Sequence, residues 1–175
     1  MNQPHVILVD KNDHQIGVME KLEAHEKGLL HRAFSVFIFN DAGQLMIHQR
    51  ALSKYHSPGL WTNTCCSHQQ LGETSLEASH RRLGEEMGFD CDLEEIFQFI
   101  YRAEFSNGLV EHEYDHVFIG HFNELPKINP NEVNAWKWID IKKLQADIKT
   151  NPDQYTEWFK LSLERVIQYQ IEKAA

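Results

Sequence analysis

Cysteine is scarce, and the count of three is odd, which argues against a disulfide framework; the adjacent pair Cys65 and Cys66 could close only a strained ring. Reduced thiols are expected. No apolar stretch approaches the roughly 18 residues needed to cross a bilayer, and the start Met1-Asn2-Gln3-Pro4 has no basic segment followed by an apolar run. A cytoplasmic protein without membrane contact is therefore expected. Positive charge is scarce too, with 17 Lys and Arg against 26 Asp and Glu, a net charge of -9 and no dense basic run. That balance argues against a nucleic-acid surface, and any basic pocket must be small and deliberate. Repeats, linkers and low-complexity tracts are also missing. The 175 residues, 42% of them hydrophobic, suit a single domain over 1–175 around one core, expected to be monomeric.

The chain opens as a hairpin, with strands at His5 to Val9 and Ile16 to Met19 around a turn at Asn12-Asp13. A second hairpin joins the apolar run Ala33 to Phe39 to Gln44 to His48 through Asn40-Asp41-Ala42-Gly43. Leu52 to Gly59 reads as a loop. A helix over Ser75 to Met87 begins with a capping box at Thr74 and Glu77, carries Leu76, Leu83 and Met87 on one stripe, and stops at Gly88. Strands are expected at Ile96 to Tyr101, Tyr114 to Phe122 and Ala135 to Asp140. A terminal helix is expected from Asn151-Pro152 to about Ile171. Strands with one internal and one terminal helix predict an α+β sandwich with a mixed sheet.

In the segment Trp61 to His68, Cys66 and His68 are two residues apart and face one side if the backbone is extended, while Cys65 faces the other. A thiol thus stands beside a metal ligand. Glu111 and Glu113 likewise share one face of a strand and can converge on one ion. With His25, His31 and His68 they form a nitrogen and oxygen donor set that suits Mn²⁺ or Zn²⁺, and also Mg²⁺; a structural zinc site would need Cys-dominated ligands. On the helix, Arg82 and Glu86 flank the apolar stripe, whereas Arg81 and Glu85 lie nearly opposite it. Glu86 is therefore the candidate functional carboxylate, and Arg82 the candidate substrate contact. Lys21, Arg50 and Lys54 are isolated cations that, with Arg82, could neutralise a diphosphate.

These residues resemble the type I isopentenyl-diphosphate isomerases of the Nudix superfamily. The resemblance rests on Arg50-Ala51-Leu52-Ser53-Lys54, Trp61-Thr62-Asn63, Cys66-Ser67-His68, Arg81-Arg82 with Glu86-Met87-Gly88, Tyr101-Arg102-Ala103 and Glu111-His112-Glu113, in that order. It implies a Nudix-like α/β/α sandwich with a mixed central sheet and an N-terminal β-hairpin. It also implies one divalent ion, Mn²⁺ or Zn²⁺ or else Mg²⁺, on His25, His31, His68, Glu111 and Glu113. A second ion, Mg²⁺, would link a diphosphate to Glu86 and the backbone of Cys66. Cys66 and Glu113 would transfer protons, with Tyr101 assisting on the Glu113 side. Trp158 would face a carbocation, and Lys21, Arg50, Lys54, Arg82 and Ser67 would contact the substrate.

The implied reaction turns isopentenyl diphosphate into dimethylallyl diphosphate through a tertiary cation. The alternative is a Nudix hydrolase acting on a nucleotide or other diphosphate, since Glu73, Arg81, Glu85, Glu86 and Gly88 retain much of the hydrolase box. Ser67 stands where that box has Gly, and Arg82 where it has Glu. A catalytically silent metal or protein-binding module is a third class.

Overall fold

The computed structural model describes residues 4–174. Strands β1 (His5–Val9) and β2 (Gln15–Glu20) form the expected N-terminal hairpin, and helix α1 (Lys21–Lys27) follows at once. Strand β3 (His31–Phe39) is the spine of the sheet. It pairs in parallel along its whole length with β8 (Val110–His121), from His31 opposite Glu113 to Phe39 opposite His121. On its other edge it meets β1 at His31, β6 (Cys65–Ser67) at Phe34 to Val36, and β4 (Leu45–Arg50) at Ile38 and Phe39.

β3 and β4 touch only near their turn and then diverge. The gap is filled by β5 (Trp61–Thr62), which pairs with β4, and by β6, which pairs with β3. At the corner between them the Thr64 hydroxyl donates to Met46 O on β4 (2.6 Å) and accepts from Ile38 N on β3 (2.9 Å). Asn63 Nδ2 donates to Val36 O and Cys65 O. Strands β7 (Leu93–Glu104), antiparallel to β8, and β9 (Val133–Ile139), antiparallel to β4, complete the mixed sheet.

Side chains of β3 alternate between two apolar layers. Phe34, Val36 and Ile38 pack toward α2 (Ser75–Met87), while Phe37 and Phe39 pack toward α3 (Ile141–Thr150) and α4 (Glu157–Ala174). A strand covered on both faces needs a continuous apolar run, and this is the run seen at Ala33 to Phe39. The layers are those of an α/β/α sandwich. The capping box holds: Glu77 N donates to Thr74 Oγ1 at 3.2 Å and Thr74 N to Glu77 Oε2 at 2.8 Å. Gly88 caps α2 at φ 72°, and a Cβ there would meet Lys127 O at 2.3 Å, so only glycine fits.

Three expectations need correction. Helices α1 and α3 are additional; both are short, and in α1 only Ala24 and His25 are buried, so neither carries a long apolar stripe. The terminal helix starts at Glu157 rather than at Asn151-Pro152: a single 3₁₀ turn, Pro152–Gln154, is followed by extended Tyr155, and Thr156 N donates to Trp61 O at 3.0 Å. That tertiary bond outweighs the helical start signal. Leu76 lies in the first turn of α2 and is 42% exposed, so the buried stripe consists of Leu83 and Met87 with Ala78 and Ser79.

Candidate active site

Cys65 and Cys66 take opposite faces of β6, as alternation requires. Cys65 is buried in the layer shared with α2, whereas Cys66 lines a cavity on the α4 side together with His68, Glu111, Glu113 and Trp158. All five candidate substrate contacts, Lys21, Arg50, Lys54, Ser67 and Arg82, line the same cavity, and so does Glu86. Tyr101, His25 and His31 are buried. Burial pushes the Cys66 thiol up to about 12, so at neutral pH it holds its proton.

Glu111, Glu113 and Asp115 succeed one another on one face of β8, and all three are buried. The Tyr101 hydroxyl donates to Glu111 Oε2 at 3.1 Å and to Glu113 Oε2. The other carboxylate oxygens face imidazoles: Glu113 Oε1 lies 2.9 Å from His68 Nε2 and 3.5 Å from His31 Nε2, and Glu111 Oε1 lies 3.5 Å from His56 Nε2. Burial alone would raise Glu113, but the facing imidazoles of His31 and His68 outweigh it and hold the group well below the usual carboxylate range. Burial and the neighbouring Glu113 charge push Glu111 the other way.

Buried histidines here are kept neutral, chiefly by desolvation: His25 at about 4, His68 at about 3 and His56 at about 2. The ring Nδ1 of His25 faces Lys21 O at 2.6 Å, and that of His31 faces Leu29 O at 2.8 Å. If each Nδ1–H donates to its carbonyl, the lone pair is on Nε2, and those two Nε2 atoms are buried without a hydrogen-bond partner among the described residues. Such carbonyl-anchored imidazoles are how proteins orient metal ligands. His25, His31, His68 and Glu113 bring donor atoms within 4.8 Å of one another, a donor set that fits a divalent ion. Glu111 joins a separate group with His25 and His56.

Cations surround the mouth. Lys54 pairs with Glu132, and Arg82 binds Glu86, Glu132 (3.2 Å) and Glu85 (2.8 Å). Glu86 is buried, which raises its pKa against the lowering pull of Arg82, while the Glu85 side chain is 46% exposed. Arg81 binds Glu73, at 2.6 and 2.8 Å, more closely than Glu85 one helical turn on, at 3.3 Å. The Arg50 guanidinium carbon sits 5.3 Å from the Trp158 ring centroid, and Trp158 Nε1 donates to Asn63 Oδ1 at 3.2 Å. The ring expected to face a substrate cation thus already faces a fixed one.

His56, His48 and Glu132 were not singled out from the sequence, yet all three line the cavity, and Asn63, named there only within a motif, holds Trp158 in place. For His56 a signal existed, the run Lys54-Tyr55-His56 inside a loop beside cationic candidates.

The NUDIX domain family matches residues 29–159. The chain is 52% identical over 168 residues to isopentenyl-diphosphate Delta-isomerase 2 of Photorhabdus laumondii, covering 96% of this chain and 95% of that one. It is 51% identical to the isopentenyl-diphosphate Delta-isomerase of Pectobacterium atrosepticum over 164 residues, 94% and 92% of the two chains. Among solved structures, a protein from Deinococcus radiodurans superposes with a TM-score of 0.76 at 22% identity, over 92% of this chain and 98% of that one, which bears on the fold alone. With about half of its residues shared with these relatives over nearly its whole length, the chain belongs to the isopentenyl-diphosphate Delta-isomerases of the NUDIX family.

Proposed function

We propose that this chain interconverts isopentenyl diphosphate and dimethylallyl diphosphate, with Cys66 and Glu113 as the proton-transferring pair. The observation that carries this reading is their placement. β6 and β8 flank β3 on opposite edges, and both side chains line one cavity. A flat alkene between them can gain a proton at its terminal carbon from one group and lose a proton from the methylene on the other side of the tertiary cation to the second. One C–H bond forms and one breaks. Cys66 and Glu113 leave the turnover with their protonation states exchanged, and solvent exchange or the reverse reaction resets them.

Tyr101, hydrogen-bonded to Glu111 and Glu113, orients both carboxylates and can relay a proton to Glu113. Trp158 and Arg50 form one wall; the indole face offers attraction to a cation without a nucleophile that would trap it. Lys21, Arg50, Lys54, Arg82 and the Ser67 hydroxyl line the space for the diphosphate. His25, His31, His68, Glu111 and Glu113 would hold Mn²⁺ or Zn²⁺, or else Mg²⁺, whose charge would keep the carboxylates ionised. Glu86 and the backbone of Cys66 would hold Mg²⁺ against the diphosphate. We place the activity in a cytoplasmic monomer of one domain, residues 1–175. Its small-molecule substrate calls for neither nucleic acid nor membrane; among the described residues no helix is long and apolar enough to cross one.

Incubating the protein with isopentenyl diphosphate and Mg²⁺ in deuterated water tests the reading. Isomerisation must place solvent deuterium in the product. Release of phosphate or pyrophosphate would instead support a hydrolase, a reading weakened by Arg82, whose guanidinium occupies the place of a box carboxylate and binds Glu86. Bound metal with turnover of neither substrate would mark a silent module.

A further inference from the structure

Glu132 immediately precedes β9, and its backbone is tied toward both elements that carry the cations of the cavity mouth. Its carbonyl accepts from Ala51 N at 3.0 Å, at the start of the loop that holds Lys54. Its N–H donates to Asn129 O at 3.0 Å, and Asn129 N in turn donates to Glu86 O on α2 at 2.9 Å. The side chain lines the cavity, where Lys54 Nζ and Arg82 Nη2 converge on the same carboxylate oxygen, Oε2, the latter at 3.2 Å. Two cations on one anionic oxygen is also how a protein grips a phosphate. The Glu132 side chain is 23% exposed, so it has water to turn into.

We propose that Glu132 is a built-in competitor for the diphosphate: its carboxylate occupies the anion position between Lys54 and Arg82 and must leave before the substrate is fully gripped. This rests on the reading that these two cations hold the diphosphate. A diphosphate brought against Lys54 and Arg82 with Glu132 still in place would set like charges side by side in a half-buried site, which costs affinity. Without substrate, the same carboxylate offsets the repulsion between the two cations. Glu86 does not share this role, because it is buried at 4% exposure and pairs with Arg82 from within α2 rather than with Lys54. Substrate and product carry the same diphosphate, so a grip without a competitor would retain product. A tethered carboxylate returning to Lys54 and Arg82 helps to expel it.

Calorimetric titration of inorganic pyrophosphate, without added Mg²⁺, into the wild-type, Glu132→Gln and Lys54→Gln chains tests this. Glu132→Gln should bind pyrophosphate about tenfold tighter or more than wild type, and dimethylallyl diphosphate should become a correspondingly stronger product inhibitor of that variant. An affinity equal to or below that of wild type would overturn the proposal, since losing a carboxylate that merely orients Lys54 and Arg82 weakens anion binding. Pyrophosphate binding that Lys54→Gln leaves unchanged, or no binding to either wild type or Glu132→Gln, would overturn the reading of the anion site and the proposal with it. Should Glu132→Gln fail to fold by circular dichroism, Glu132→Ala, which removes the same charge, is read by the same outcomes.

Discussion

Cys65 and Cys66 are neighbours in the chain but belong to different layers of the molecule: Cys66 opens into the cavity, and Cys65 packs beside Leu83 and Met87 under α2. Cys66→Ala should lower isomerase turnover by about 10²–10⁴-fold, the range for losing a positioned proton-transfer group, with the melting curve kept. Cys65→Ala should stay within a few-fold in activity while losing about 1 kcal/mol of stability to the small void. Deuterium incorporation and thermal melts on both variants decide this. Equal loss of activity in the two would undo the assignment.

His68→Asn should leave the purified protein with well under one ion per chain, because it removes one of the four donors, His25, His31, His68 and Glu113, that lie within 4.8 Å of one another. Elemental analysis reads the stoichiometry. A full ion per chain in that variant would count against the ligand set.

Glu86 and Glu85 should separate cleanly in a Mg²⁺ titration. Glu86 is buried at the cavity, and Glu85 sits in half-exposed pairs with Arg81 and Arg82. Glu86→Gln should raise the Mg²⁺ concentration for half-maximal turnover by tenfold or more, and Glu85→Gln should barely move it. The opposite order would show that α2 presents its other face to the substrate.

Acid should destabilise the protein through His48. Its ring is buried and bonded to Thr64 O at 2.9 Å, and burial lowers its pKa from 6.5 to about 4. The unfolded chain therefore takes up a proton that the folded chain refuses, so stability is intact above pH 6.5 and declines as pH falls toward 4, by about 3 kcal/mol in all. His48→Gln should flatten this limb in denaturant titrations at pH 4 to 7. An unchanged slope would refute the contribution.

Thr64→Val keeps the volume but strands Ile38 N and Met46 O, which the hydroxyl now satisfies. Two buried orphan groups should cost about 2–4 kcal/mol. Urea unfolding measures the loss.

Much of this was legible in local pattern. The run Ala33 to Phe39, the alternation of Cys65 and Cys66, the Thr74 to Glu77 cap and the inward Glu86 each depend on spacing within a few residues, which sequence records directly. α1 escaped because a seven-residue helix with two buried residues has no period to detect. His56 escaped for another reason: the run Lys54-Tyr55-His56 marks a loop beside cations, but Phe105, on which the ring stacks inside the site, is far along the chain. The division of the donors into two groups around His25 is likewise a tertiary fact. Spacing could gather five ligands, but it could not show that Glu111 and Glu113 turn toward different imidazoles.

The parallel pairing of β3 with β8 has a consequence for how the chain reaches its native state. His31 meets Glu113 only after some eighty residues of intervening chain have been closed into a loop, and contacts of such separation form slowly. A cation offered to the nascent chain therefore finds His25 and His31 close together but neither Glu111 nor Glu113 beside them. The full donor set cannot template early collapse, and its binding energy is felt only once β8 has docked on β3. Added metal should accordingly slow unfolding while leaving the refolding rate nearly unchanged.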